Sequence, residues 1–348
     1  MSINFKSYMS TRIKYFDALK FFTIYLVVWG HCIQHFQTNN YGENIVFRYI
    51  YSFHMGLFMM VSGFFSVSSM RMSISKFVAK KFMRLIYPCI VWGGMIWIIL
   101  EATHSFHYSK DNISFVGLFT DFYWMSDFWF LKSCFICYCL AYLGINSGLK
   151  NAYWIPLTLL LSLLLPFFQV TYMFPCFLLG WFLKNNQKLA DWIFTKTHYF
   201  VIIFVIMLIF WNTNAWNNSH CSLSIQSTDF IQVLFELLYY RVYRLLIGLV
   251  GSVTAISVFH LLFKANNPFP KLFDICCQMG AYTLEVYLIH SIIFAWILEY
   301  IVNLDNIGFM FYTFFITPVC SIIILIICVY ISKLTHRSSI MSHLLWGV

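Results

Sequence analysis

The sequence predicts an all-α polytopic membrane protein of about ten transmembrane helices with both termini cytoplasmic. Three observations carry that expectation. Of the 348 residues 61% are hydrophobic and 10% charged, against roughly 45–50% and about 25% in a soluble domain. The mean hydropathy is +0.75. The basic residues sit at the ends of apolar runs rather than in one stripe. A water-soluble globule is excluded, and the question becomes how often the chain crosses.

A span needs about 20 mostly apolar residues. Candidate stretches occur at 16–37, 45–68, 84–102, 128–147, 152–168, 172–184, 199–214, 230–263, 281–303 and 308–332. The first follows Lys6, Arg12 and Lys14 like a signal peptide, but it has no small-residue cleavage site and is interrupted by His31, Gln34 and His35, so it reads as an uncleaved helix. The fifth and sixth are short and meet at a turn around Pro166 to Tyr172, which suits a tight hairpin or a re-entrant pair. The eighth is too long for one crossing and reads as an interfacial amphipathic helix with Glu236, Arg241 and Arg244 leading into a span. The expected organisation is a cytoplasmic segment 1–15, a ten-span domain 16–333 and a short, polar cytoplasmic tail 334–348.

Orientation follows from the Lys/Arg bias of short loops. With the N-terminus inside, only Arg48, Lys110, Lys132, Arg241 and Arg244 fall on the far side, and the other 17 of the 22 basic residues lie inside. The net charge of +9 therefore reads as topology, not as the basic surface of a nucleic-acid binder. No cysteine spacing resembles a zinc site. Cys134 and Cys137 lie in an apolar run, where such pairs are usually small packing residues. The Asn217-Asn218-Ser219 sequon is given no role.

Ionisable groups inside spans are costly and mark function. Lys20 and His31 lie eleven residues apart, near one face of the first helix, with a rise of roughly 16 Å between them. His35 extends the His31 stripe, and the alternative for both histidines is a helix end at the outer interface. His54 opens the second span, and Ser62-Gly63 within it suits close helix packing. Lys80-Lys81-Phe82-Met83-Arg84 forms a basic mouth before the third span. It suits either anionic lipid headgroups or the phosphates of a cytosolic nucleotide-bearing donor, with Arg84 as a fork and Lys81 as a point charge. Lys132 reads as snorkelling to the outer interface. Glu285 and His290 do not share a face, so each is expected to meet a group from another helix. Tyr239, Tyr240, Arg241, Tyr243 and Arg244 suit a glycan surface or an interfacial belt.

In this order the pieces resemble acyltransferase family three, polytopic enzymes that modify cell-surface sugars, and within it the fucose 4-O-acetylase-like branch. The resemblance rests on Phe16-Asp17-Ala18-Leu19-Lys20 with ten residues before His31, on Ser52-Phe53-His54-Met55 with Ser62-Gly63-Phe64, and on Phe128-Trp129-Phe130-Leu131. It rests also on Pro175-Cys176-Phe177-Leu178-Leu179-Gly180 and on Tyr282-Thr283-Leu284-Glu285 with Tyr287-Leu288-Ile289-His290. It implies transfer of an acyl group, usually acetyl from acetyl-CoA, to a sugar hydroxyl. His31 would be the essential histidine and Lys20 its basic partner. The family's Arg-x-x-Arg corresponds to Lys81-x-x-Arg84, with Lys in place of the first Arg.

The chemistry agrees. A sugar hydroxyl is a poor nucleophile at neutral pH, and a neutral imidazole is the natural base for it. His31, Lys20 and Glu285 are accordingly assigned to catalysis, and Lys81, Arg84 and Lys20 to the donor. His35, His54, Trp129, Arg241 and Arg244 are assigned to the acceptor. No metal and no permanently bound cofactor are expected; acetyl-CoA or another acyl-CoA is a co-substrate. The partners are this donor, a glycan acceptor and the bilayer of the inner membrane, without nucleic acid. The alternative is a secondary transporter or polysaccharide exporter, which would also use buried His and Glu but would not need the cytoplasmic basic mouth.

Overall fold

Every apolar stretch picked from the sequence coincides with a helix, as far as it is described. The structure, a computed structural model, describes residues 14–36, 41–102, 128–165, 167–220, 230–264, 270–294, 304 and 307–347. The helices are α1 (Lys14–His35), α2 (Ile45–Phe64), α3 (Ile74–Lys81), α4 (Tyr87–Ala102), α5 (Trp129–Ile145), α6 (Asn151–Leu163), α7 (Val170–Asn185) and α8 (Gln187–Thr195). They continue as α9 (Thr197–Phe210), α10 (Thr213–His220), α11 (Phe230–Lys264), α12 (Pro270–Met279), α13 (Thr283–Ile293), α14 (Phe309–Thr335) and α15 (Ser339–Trp346). No strand occurs among the described residues. Lipid offers no partner for backbone N–H and C=O groups, so apolar stretches of this length satisfy them internally as helices.

Among the described residues, six helices are long and apolar enough to cross a membrane: Lys14–His35, Ile45–Phe64, Phe167–Asn185, Leu238–Leu262, Pro270–Ile293 and Phe309–Thr335. The α8–α9 pair, bent by 69°, makes a seventh if it is one broken span. Helices α4, α5 and α6 are apolar but shorter, at 16, 17 and 13 residues. Apolar side chains exposed along α9 and α14, such as Ile206, Ile209, Phe315 and Ile322, are suited to lipid contact. The chain is a multi-pass helical membrane protein. The segment before Lys14, Lys110 and the second half of the ninth stretch lie outside the described residues.

Two expectations are corrected. The eighth stretch is one continuous helix of 35 residues, not an interfacial helix followed by a span; it has no internal Pro, and its Gly248 and Gly251 are too few to break it. Lys132 does not snorkel. It is 3% exposed, with its ammonium 5.2 Å from the Phe168 ring. Phe168 and Gln169 form the turn into α7 with φ of 51° and 56°, a left-handed conformation rare outside glycine.

The described residues fall into two units. The first comprises Met1–Phe58, Gln187–Thr283 and Leu304–Leu325. Within it α1 is the central element. Gly280 abuts its Asp17 carbonyl so closely that a Cβ would lie 1.9 Å from that oxygen. Trp29 Nε1 donates to Thr317 Oγ1 at 2.9 Å, and Tyr312 Oη donates to the Ile33 carbonyl at 2.9 Å. Asn44 caps α2, its Oδ1 accepting from the Val46 and Phe47 amides at 3.0 and 3.2 Å. Arg48, one of the far-side charges, is 8% exposed and donates to the Gly42 and Glu43 carbonyls, so it holds that turn rather than facing water.

The second unit comprises Met59–Asn186, Leu284–Asn303 and Ile326–Val348. Its closest crossing joins the end of α2 to α7. A Cβ on Gly63 would lie 1.9 Å from the Phe177 carbonyl oxygen, and one on Gly180 would lie 1.9 Å from that of Met60. Small residues let backbones approach in membranes, so both glycines are packing positions. Backbone cannot yield as a flexible side chain does. Gly63→Ala and Gly180→Ala are each expected to cost about 1–3 kcal/mol, read as a lower melting temperature in detergent. Melting together with the wild type would show that the crossing is loose.

Candidate functional site

The candidate residues are distributed over both units. On α1, Lys20 Nζ is 2.7 Å from Asp17 Oδ1, with side chains 27% and 7% exposed. This is an i,i+3 pair, a spacing at which helix side chains meet. The sequence reading quoted Asp17 only as part of a motif and missed that it occupies Lys20. A lysine already paired to a buried carboxylate is a poorer phosphate ligand than a free one.

At the other end of α1 the His31 and His35 rings stack at 5.7 Å and 26°, as their four-residue spacing predicts. Both are half-buried, while Cys32 and Ile33 between them are fully buried. Their turn is fastened by the Tyr312 hydroxyl, which bonds the Cys32 and Ile33 carbonyls, and by Ser321 Oγ, 3.3 Å from Cys32 Sγ. Gly30, just before His31, lies where a Cβ would come within 2.6 Å of the Tyr51 ring. His31 is thus an accessible ring on a rigid turn.

His54, assigned to the acceptor, is an interior residue, 2% exposed. Its Nδ1 donates to the Ile50 carbonyl at 2.7 Å and its ring meets Tyr51 edge-on at 4.6 Å. With Nδ1 carrying the proton, Nε2 is the acceptor nitrogen. Among the other acceptor candidates, Trp129 is half-buried, Arg241 exposed and Arg244 half-buried. On α11 the Tyr239 and Tyr243 rings are parallel at 6.3 Å, and Tyr243 Oη donates to the Met207 carbonyl at 2.6 Å.

In the second unit Lys81 and Arg84 flank and occupy a π-helical turn, Phe82–Ile86, that joins α3 to α4. Turns of this kind are frequent at functional sites. The two cations differ in exposure. Arg84 is exposed, whereas Lys81 is buried, its ammonium 3.4 Å from the centroid of the Tyr138 ring. Arg84 is thus the accessible cation and Lys81 the buried one, yet the two are near enough for the Arg84 charge to act on Lys81. Burial, with the neighbouring Arg84 and Lys80 cations adding, pushes the Lys81 ammonium down to about 8. Cys134 and Cys137 are buried, unbridged thiols.

Glu285 does meet another element, and the partner was not foreseen. Its Oε1 is 3.1 Å from His336 Nε2, and His336 Nδ1 is 3.0 Å from Ser342 Oγ. The carboxylate accepts from Nε2–H, which leaves Nδ1 to accept the Ser342 hydroxyl proton. His290 is buried, with Nδ1 donating to the Val286 carbonyl at 2.8 Å. The tail after Lys333, read as a short polar extension, is therefore part of the fold. Its signals were present in the sequence: Ser338 is the N-cap of α15, and Gly347 ends it with φ 66°.

These features define a multi-pass helical membrane protein with ionisable groups built into its first span and a cationic turn ahead of a shorter apolar helix. The chain belongs to acyltransferase family 3, whose acyltransferase-domain model matches residues 13–333. It is similar to the nodulation protein NolL of Mesorhizobium japonicum, 24% identical over 301 residues covering 80% of this chain and 76% of that one. It is similar also to the nodulation protein NolL of Sinorhizobium fredii, 25% identical over 298 residues covering 80% and 77%. No solved structure matches the chain. The family membership decides for a membrane acyltransferase over a carrier.

Proposed function

We propose that the protein is an O-acyltransferase of the inner membrane, moving an acyl group, acetyl above all, from acyl-CoA to a sugar hydroxyl. The acceptor is a cell-surface polysaccharide or its lipid-linked precursor. The chain crosses ten times with both ends cytoplasmic, the shorter helices included, so that Arg84 meets the donor from the cytoplasm. The observation that carries this reading is the half-buried His31 ring on a turn whose flanking residues are buried and bonded. Such a ring is a preorganised base.

In this reading His31 Nε2 or Nδ1 takes the proton of the acceptor hydroxyl as its oxygen attacks the thioester carbon, and CoA leaves as the thiol. His35 supports the His31 ring by stacking. Lys20, roughly 16 Å along the helix from His31 and paired with Asp17, acts on the field near the donor rather than at the reacting atoms. Arg84 binds a donor phosphate through its fork. The exposed Arg241, with Arg244 and Trp129, offers contacts to sugar.

Purified protein in detergent should be stabilised by CoA, raising its melting temperature, because a ligand bound only to the native state stabilises it by mass action. Arg84→Ala should remove most of that rise. Equal stabilisation of wild type and variant would remove Arg84 from the donor site.

A further inference from the structure

Helix α15 is bound to three places in the second unit that the sequence holds far apart. The first is Glu285 on α13, through His336, whose two ring nitrogens are both engaged by Glu285 and Ser342. The second is α4. Trp346, 1% exposed, stacks on Trp92 at 5.0 Å and 27°, and Trp92 Nε1 donates to the Leu345 carbonyl at 3.0 Å. The third is the π-helical turn itself. Gly347 sits where a Cβ would be 2.3 Å from the Met83 carbonyl oxygen, and Met83 precedes Arg84. The His336 ring lies parallel to Trp346 at 6.0 Å and 26°, and Trp346 Nε1 donates to Thr335 Oγ1 at 3.1 Å.

We propose that the C-terminal helix is a clasp of the donor site, with His336 as the positioning residue that locks the Arg84-bearing turn through Glu285, Ser342, Trp346 and Trp92. The proposal rests on the reading that Arg84 binds the donor. A π-helical turn bonds over five residues, as Tyr87 N–H does to the Phe82 carbonyl, a geometry rare beyond a single turn and out of step with the α-helices on either side. The turn therefore needs outside support to hold an exposed guanidinium in one place, and α15 supplies it from the Met83 carbonyl and from Trp92. His336 fixes α15 in turn, because pinning both nitrogens leaves its ring one orientation. Glu285 then serves as the anchor of the latch, and its carboxylate keeps the His336 proton on Nε2.

The test is a double-mutant cycle on CoA affinity, measured by calorimetry on the full-length protein in detergent. His336→Ala and Arg84→Ala are each expected to weaken CoA binding about tenfold, since a small misplacement remote from the contact is enough to lose it. The double variant should be no weaker than the poorer single, because both changes remove one interaction. His336→Gln, which can still donate to Glu285 and accept from Ser342, should restore most of the affinity. Losses that multiply to about a hundredfold, or His336→Ala binding CoA as the wild type does, would overturn the clasp. If His336→Ala does not fold, Ser342→Ala replaces it in the same cycle with a smaller loss expected. Wild-type protein that binds no CoA would overturn the donor reading itself, and it would show this before any variant is made.

Discussion

Cells carrying His31→Ala should lose the alkali-labile acyl esters of their surface glycans at membrane abundance equal to wild type. Loss of a general base costs about 100- to 10,000-fold in rate, enough to bring ester content to background. The structure makes the experiment clean. His31 is half-buried, so truncating it removes little packing, and the turn it stands on is held by the Tyr312 and Ser321 side chains through Cys32 and Ile33. His35→Ala should cost much less, because it removes the ring stacked at 5.7 Å and leaves the His31 imidazole in place. Ester content unchanged in His31→Ala would sink the assignment of the base, whatever His35→Ala does.

The helices were legible because the membrane allows so little else. As far as they are described, the apolar stretches became helices with most ends shifted by a few residues, as happens when hydropathy fixes the middle of a helix and local caps fix its ends. Asn44 caps α2 at Ile45, where the apolar stretch also begins, whereas left-handed Phe168 and Gln169 set the start of α7 at Val170, two residues ahead of its stretch, a shift that hydropathy does not record. The long eighth stretch was misjudged for the opposite reason. Its charged first half suggested a separate interfacial helix, yet nothing between Phe230 and Lys264 interrupts the backbone hydrogen bonds.

The site was legible one helix at a time. His31 with His35, and Lys81 with Arg84, follow from spacing alone. Asp17 with Lys20 was equally available at i,i+3 and was passed over because Asp17 read as part of a motif. Glu285 with His336 could not be had from spacing, since the two are separated by 51 residues. Only the folding back of α15 brings them together. A tail that carries Ser338 and Gly347 at cap positions, with Trp346 between them, nevertheless announces a docked helix. That Lys81 is buried while Arg84 is exposed follows from the π-helical turn, which changes the angle between them from that of a regular helix.

Lys81 gives the second large effect, as a dependence on pH with two opposite signs. Its folded-state ammonium is lowered to about 8, so between that value and its ordinary value the unfolded chain holds more protons than the native one. Stability without ligand should therefore rise with pH across that window, the cost of the buried cation being fully present below about 8 and gone above its ordinary range. Donor binding should move the other way. Phosphate favours the charged form, and raising the pH from 7 to 9 discharges Lys81 in the free protein, weakening CoA binding by up to about tenfold. Lys81→Arg, which keeps its charge over this range, should flatten the affinity profile; it also restores the family's Arg-x-x-Arg. Calorimetric titrations of CoA at pH 7, 8 and 9 on both proteins test this. A wild-type affinity that is constant over the range, or a fall equally steep in Lys81→Arg, would show that the buried charge behind Arg84 takes no part in holding the donor.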